Sequence, residues 1–209
     1  MFDISRAYGD DPFEFEAPDE GAGFALLRSG DRRLSGGPVI SFEGSRKAKD
    51  VGANLPKVGF TVEVGAFADY YVAENFRIRG EVLQGIGGHK GLAANLGGDF
   101  VARNGDEWLF SVGPRVRIVN NKYNRAYFSV APEDSIPSGL PAYDAKGGLQ
   151  AVGLAAGYLA DFSGPWGVYV YAKYDRLVGD AADSPIVRRF GSRDQFAGGL
   201  ALTYEFGGL

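Results

Sequence analysis

Hydrophobic and polar residues alternate along most of this chain from Val58 onward. Phe60, Val62, Val64, Ala66, Ala68, Tyr70 and Val72 interleave with Thr61, Glu63, Gly65, Phe67, Asp69 and Tyr71. After Ala73-Glu74-Asn75, Phe76, Ile78 and Val82 interleave with Arg77, Arg79 and Glu81. GIGGHKG turns the chain, and Leu92, Ala94, Leu96 and Phe100 then alternate with Ala93, Asn95, Asp99 and Arg103. Beyond Asn104-Gly105-Asp106, Trp108, Phe110, Val112, Val116 and Ile118 alternate with Ser111, Arg115 and Arg117. Segments 147–162 and 166–178 form another pair about Ser163-Gly164-Pro165. In the last segment, 193–206, Phe206, Tyr204, Leu202, Leu200, Gly198 and Phe196 share one face, and Glu205, Thr203, Ala201, Gly199, Ala197 and Gln195 the other. A period of two predicts β-strands, because successive side chains leave opposite faces. Such runs exceed the usual strand of about 5–6 residues and suit the roughly 9–11 residues of a tilted strand crossing a bilayer.

Before Val58 the pattern is weaker. Segments 2–5 and 13–17 are candidate short strands around YGDDP, while 23–28 and 34–42, joined at Ser29-Gly30-Asp31, read better. The stretches 44–57, 121–146 and 179–192 are polar and aperiodic and are expected to be long loops. Three-residue turns set the registers. They pair Val72 with Phe76, Tyr70 with Ile78 and Asp69 with Arg79. They pair Phe100 with Phe110, Ala102 with Trp108 and Arg103 with Glu107. They pair Phe162 with Trp166, Tyr158 with Val170 and Gly157 with Tyr171. Apolar then faces apolar, and polar faces polar or small, whereas a slip of one residue would reverse every side chain. A two-residue loop at Asn104-Gly105 is rejected because it sets Phe100 against Ser111.

Connections near 29–31, 73–75, 104–106 and 163–165 are short, and in an up-and-down sheet they fall at one end. Short turns at one end and long loops at the other are the arrangement of outer-membrane barrels. Phe76, Trp108, Phe162, Trp166 and Phe206 lie beside the short-turn end and would form an aromatic girdle. A soluble lipocalin-like barrel has the same alternation turned inside out. The girdle, the loop asymmetry and the strand lengths favour apolar side chains outward. The expected fold is an all-β, transmembrane, antiparallel up-and-down β-barrel of about 10 strands, as one domain over residues 1–209. Its first twenty residues carry no clear pattern. The lumen would receive Glu63, Asp69, Arg77, Arg79, Glu81, Asp99, Arg103, Arg115, Arg117, Lys173 and Asp175. Mixed signs predict a paired network that fills a narrow barrel, whereas a selective pore more often shows a wall of one sign.

Composition narrows the classes. The chain has 209 residues, enough for one domain with a substantial interior. Cys is absent, so there is no disulfide framework and no thiolate site. A net charge of −4 argues against a nucleic-acid partner. No apolar run approaches the roughly 18 residues of a membrane helix, which a barrel would not show. Met1 leads straight into FDISRAYGDDP without a leader, so an envelope protein is expected to have lost a leader, and with it a first strand, from this sequence.

His89 is the only histidine and the one candidate base for a Ser–His outer-membrane hydrolase, but no Gly-x-Ser-x-Gly elbow accompanies it. A solvated His in a Gly-rich turn is the expectation. Gly85, Gly87, Gly88 and Gly91 miss the phosphate-binding Gly-x-Gly-x-x-Gly spacing because residue 90 is Lys. Asp175, Asp180 and Asp183 do not have EF-hand spacing, and 180–185 reads as a polar turn that folds onto the barrel mouth. No catalytic, cofactor-binding or metal-binding residue is assigned, and no cofactor is expected.

VEVGAFADYY (62–71), RIRGEVLQGIGGHKGLAANLG (77–97), SVGPRV (111–116), SGLPAYDAKGGL (138–149) and GDAADSPIVRRFGSRDQF (179–196) together resemble the MipA/OmpV family (MltA-interacting protein) of outer-membrane proteins. The resemblance runs from about residue 21 onward and is most specific in the last two loops. It implies a Gram-negative outer-membrane barrel with lipid around it, of about 12 strands in the complete family fold. It also implies a non-enzymatic scaffolding role that links a murein hydrolase and synthase, with an adhesin as an alternative, while Arg77, Arg79, Arg115 and Arg117 in the lumen offer a small-solute channel as another. It carries over no catalytic residue. The tail Gly207-Gly208-Leu209 extends past the aromatic that assembly machinery commonly reads, which weakens that signal.

Overall fold

The computed structural model describes residues 13, 15–105, 107–163 and 165–204. Its strands are β1 (Ala22–Gly23), β2 (Leu27–Arg28), β3 (Leu34–Glu43), β4 (Thr61–Ala73), β5 (Phe76–Gly87), β6 (Leu92–Asn104), β7 (Trp108–Val119), β8 (Gly148–Ser163), β9 (Trp166–Leu177) and β10 (Asp194–Tyr204). From β3 to β10 each strand pairs antiparallel with the next, and β1 and β2 both lie against β3 as one broken edge strand. The sheet is strongly curled. β3 and β7 are four strands apart, roughly 19 Å in a flat sheet at the usual strand spacing. Yet Arg117 on β7 reaches Glu43 on β3 at 3.2 Å. Among the described residues the far edge of β10 carries no strand, so the wall is a half-barrel.

Its faces have the predicted orientation. Leu96, Val82 and Leu154 are 53%, 52% and 53% exposed on the convex side, while Arg77, Glu63 and Asp99 are 0–1% exposed on the concave side. Phe76, Phe162 and Trp166 point outward near the short turns. Trp166 meets Tyr204 edge-on at 4.8 Å. Phe206 and segment 2–5 lie outside the described residues. Of the 13–17 candidate strand, residues 15–17 have no regular structure and run across the concave face.

The registers are partly corrected. Tyr70 faces Ile78 and Asp69 faces Arg79, but a bulge between Tyr71 and Ala73 pairs Ala73, not Val72, with Phe76. Likewise Tyr158 faces Val170, but a bulge between Asp161 and Ser163 pairs Ser163, not Phe162, with Trp166. Bulges raise local twist where the chain enters a tight turn. In the β6–β7 hairpin Phe100 faces Val112, Ala102 faces Phe110, Arg103 faces Leu109 and Asn104 faces Trp108. That is a slide of two residues from the expected pairing. The Asn104 carbonyl accepts the Glu107 amide at 3.0 Å, and its side-chain amide donates to the Glu107 carboxylate at 2.7 Å. This keeps Asn104 in the ladder and moves the turn one residue on.

The long loops are not aperiodic coil. They hold α1 (Ala48–Val51), α2 (Asn121–Phe128), α3 (Pro132–Ser138), α4 (Gly179–Asp183) and α5 (Pro185–Phe190). The starts of α2, α3 and α5 have a local cause. The Asn120 side chain accepts the Tyr123 amide, the Ser184 hydroxyl accepts the Ile186 amide, and Pro132 and Pro185 open their helices where no N–H is needed. The helices form a cap over the long-loop end. Ala53, Leu55, Val130, Leu140 and Ile186 make one apolar cluster, and Ala181, Ala182 and Val187 pack on Ala151 and Leu177 of the wall. The expected polar turn at 180–185 is therefore α4, the buried Ser184 and the first residue of α5.

Candidate interior charge network

Pairing between neighbouring strands builds the interior. Arg77 stands opposite Asp99, and Arg79 opposite Asp69. Arg77 lies 2.8 Å from Asp99 and 3.5 Å from Asp69. Arg79 is 2.9 Å from both Asp69 and Glu81, and Asn95 donates to Glu81 at 3.3 Å. The second oxygen of Asp99 takes Arg115 at 2.8 Å. Asp69, Arg77, Arg79, Glu81, Asp99 and Arg115 thus form one continuous chain across four strands. Lys173 and Asp175 pair with each other at 3.1 Å on β9. Arg103 sits on the same face of β6, half-buried and within electrostatic reach of Tyr71. Burying an ion costs several kcal/mol unless partners surround it. Partners on neighbouring strands offset that cost only in the native register.

Residues from outside the predicted set complete the network. Glu20 pairs with Arg77. Asp19 lies 3.0 Å from Arg115 and 3.2 Å from Lys173, joining β7 to β9. The Arg77 guanidinium covers the Phe15 ring at 4.5 Å. The two acids that follow Pro18 are visible in the sequence, but alternation places strands and carries no information about where a non-strand segment docks. A polar cavity of about 290 Å³ lies between this segment and the cap, bordered by Arg115, Lys173, Asp175, Gln150 and Tyr123.

Glu63 and Arg117 belong to a second group at the cap end. Arg117 lies 3.5 Å from Glu63 and 3.3 Å from the Tyr123 hydroxyl. His89 is buried here, which overturns the expectation of a solvated turn histidine. It is 3% exposed, with its ring 4.5 Å from Tyr123 and 5.9 Å from Tyr127 of α2. Gly85 makes the room, since a Cβ there would stand 2.3 Å from His89 Cε1. His89 Nδ1 accepts the Gly91 amide at 3.0 Å, so the proton of the neutral ring is on Nε2, 3.2 Å from Glu63. Burial holds the imidazole below its ordinary pKa; Glu43 opposes this and Arg117 adds to it. With Nδ1 already occupied and Nε2 protonated, the ring has no free lone pair to act as a general base. The geometry gives His89 a packing role at the foot of the cap.

An up-and-down antiparallel half-barrel with an apolar exterior and an ion-paired interior is consistent with a β-barrel of the outer-membrane type. Within that class the chain belongs to the MipA family. The family model described as MltA-interacting protein MipA matches residues 2–206. Neither the search of curated proteins nor that of solved structures gave a match.

Proposed function

We propose that this protein is a non-catalytic outer-membrane barrel that binds a murein enzyme, holding a hydrolase of the MltA type near the cell wall. The observation that carries the reading is the occupied interior. The concave face is filled by mutually paired charges and by residues 15–20, which favours a wall that supports a partner over one that conducts. The family description, which names an MltA-interacting protein, supports the choice of partner. The exposed apolar rows of the wall suit a lipid surround. The test is cross-linking in Gram-negative cells followed by purification in detergent. Enrichment of a murein hydrolase over an unrelated barrel of similar size is the expected result, and no enrichment removes the role.

A small-solute channel is the second reading, favoured by the polar cavity of about 290 Å³ beside Arg115 and Lys173. Single-channel steps in a planar bilayer that change on Arg115→Ala would support it. A silent bilayer supports the scaffold.

A further inference from the structure

The stretch ending at Glu20 lies along the concave face as a strap, and its contacts are of an exchangeable kind. Among the described residues its backbone–backbone hydrogen bonding is confined to its own turn, from the Glu20 amide to the Ala17 carbonyl at 3.2 Å. No sheet ladder holds it. Side chains do. Glu20 pairs with Arg77 and lies 3.6 Å from Arg79. Asp19 bridges Arg115 and Lys173 at 3.0 and 3.2 Å. Arg77 donates to the Phe15 carbonyl at 2.7 Å while stacking on the Phe15 ring, and Phe13 meets Tyr71 edge-on at 5.2 Å.

The wall does not depend on the strap for neutrality. Without it Arg77 keeps Asp99 and Asp69, Arg79 keeps Asp69 and Glu81, Arg115 keeps Asp99, and Lys173 keeps Asp175. Undocking leaves each of these four cations a partner on the wall, so for them it avoids the large cost of an unpaired interior charge. Aromatic anchors followed by carboxylates read by guanidinium groups are a recognised way of binding an acidic peptide. Tyr71, which Phe13 meets, lies just before the tight turn between β4 and β5, so the aromatic part of the track is at the short-turn end, away from the cap.

We infer that Arg77, Arg79, Arg115 and Lys173 form a binding site for an extended acidic peptide in which an aromatic residue precedes adjacent carboxylates, and that the chain's own Phe15 to Glu20 stretch is its tethered occupant. The inference rests on the scaffolding reading, for which it names the partner's docking element. A tethered ligand competes at millimolar effective concentration, so the partner's segment binds where the strap is weakened.

The test uses the full chain in detergent and a fluorescent peptide with the sequence of residues 13–20. Asp19→Asn with Glu20→Gln weakens the strap and leaves the track intact. The double variant is expected to bind the peptide about ten-fold more tightly than the parent chain, because more molecules have a free site. Asp19→Asn alone should fall between them, and it decides the matter if heat-modifiable gel migration shows the double variant unfolded. Equal affinity for parent and variants overturns the inference. So does equal binding of a peptide whose last two acids are replaced by Asn and Gln. A murein hydrolase that co-purifies but is not released by excess peptide also removes the track, leaving the scaffold standing. Peptide binding as expected with no hydrolase captured keeps the track and removes the murein role.

Discussion

Asp99 accepts Arg77 on one oxygen and Arg115 on the other, each at 2.8 Å, so a single carboxylate joins β5, β6 and β7. Asp99 and Arg77 are fully buried, and the carboxylate is the one counterion that these two guanidinium groups share from the wall. Asp99→Ala is expected to cost about 3–5 kcal/mol, the usual cost of stranding part of a buried ion pair. Asp183, which pairs with Arg188 and Arg193 at the surface, should lose less than about 1 kcal/mol on the same change. Urea unfolding in detergent, followed by heat-modifiable migration, compares the two. Equal losses would mean that water screens the interior.

Gly85 and His89 test how the cap is seated. The close approach of a Cβ at residue 85 to the imidazole means Gly85→Ala must displace the ring or bend β5. A destabilisation of about 1–3 kcal/mol is expected, as for other overpacked sites. His89→Ala vacates the same space, so the double variant should lose clearly less than the two single losses together. Strict additivity in that cycle would show that the ring does not pack there.

How much of this was legible follows from what alternation can and cannot encode. It placed Leu96 outside and Arg77 inside, because one residue of slip exchanges the faces. It could not separate Phe100 opposite Phe110 from Phe100 opposite Val112, since a slide of two preserves every face. The Asn104–Glu107 hydrogen bonds decide that register, and they depend on geometry rather than hydrophobicity. The cap helices are 4–8 residues long, too short to show an apolar stripe at helical period. His89 read as solvated because its burial comes from Tyr123, far along the chain. Asp19 and Glu20 were invisible as network members because nothing local to them marks a contact with Arg115 or Arg77.

Acid should loosen the cap through His89. In the folded protein burial against Tyr123 and Tyr127 holds its pKa below the ordinary value of about 6.5, with Arg117 acting the same way and Glu43 opposing. Glu63, 3.2 Å away, is the carboxylate nearest the ring proton. Well above a pH of about 6.5 the ring is neutral in both states and the full stability is present. As pH falls further, the unfolded chain takes up a proton that the folded chain resists, and stability declines until the folded ring also titrates. The unfolding midpoint is therefore expected to drop between about pH 7 and pH 5, and His89→Gln should flatten part of that drop. An identical pH profile in the variant would assign the loss to the interior carboxylates instead.

The outer wall offers the most direct check on the membrane reading. Leu96 lies in mid-strand on β6, 53% exposed, with Gly80 and Val116 beside it. Ile136 on α3 of the cap is more exposed still, at 93%. In water, exchanging either for Arg should change stability by no more than about 0.5 kcal/mol. In a bilayer the two positions differ, because an Arg near the midplane of a barrel wall costs about 2–4 kcal/mol and one beyond the headgroups costs almost nothing. Leu96→Arg is therefore expected to reduce folding into lipid vesicles sharply, while Ile136→Arg folds as the parent does. If both variants enter vesicles with equal yield, the apolar rows do not face hydrocarbon, and the outer-membrane reading loses its physical basis.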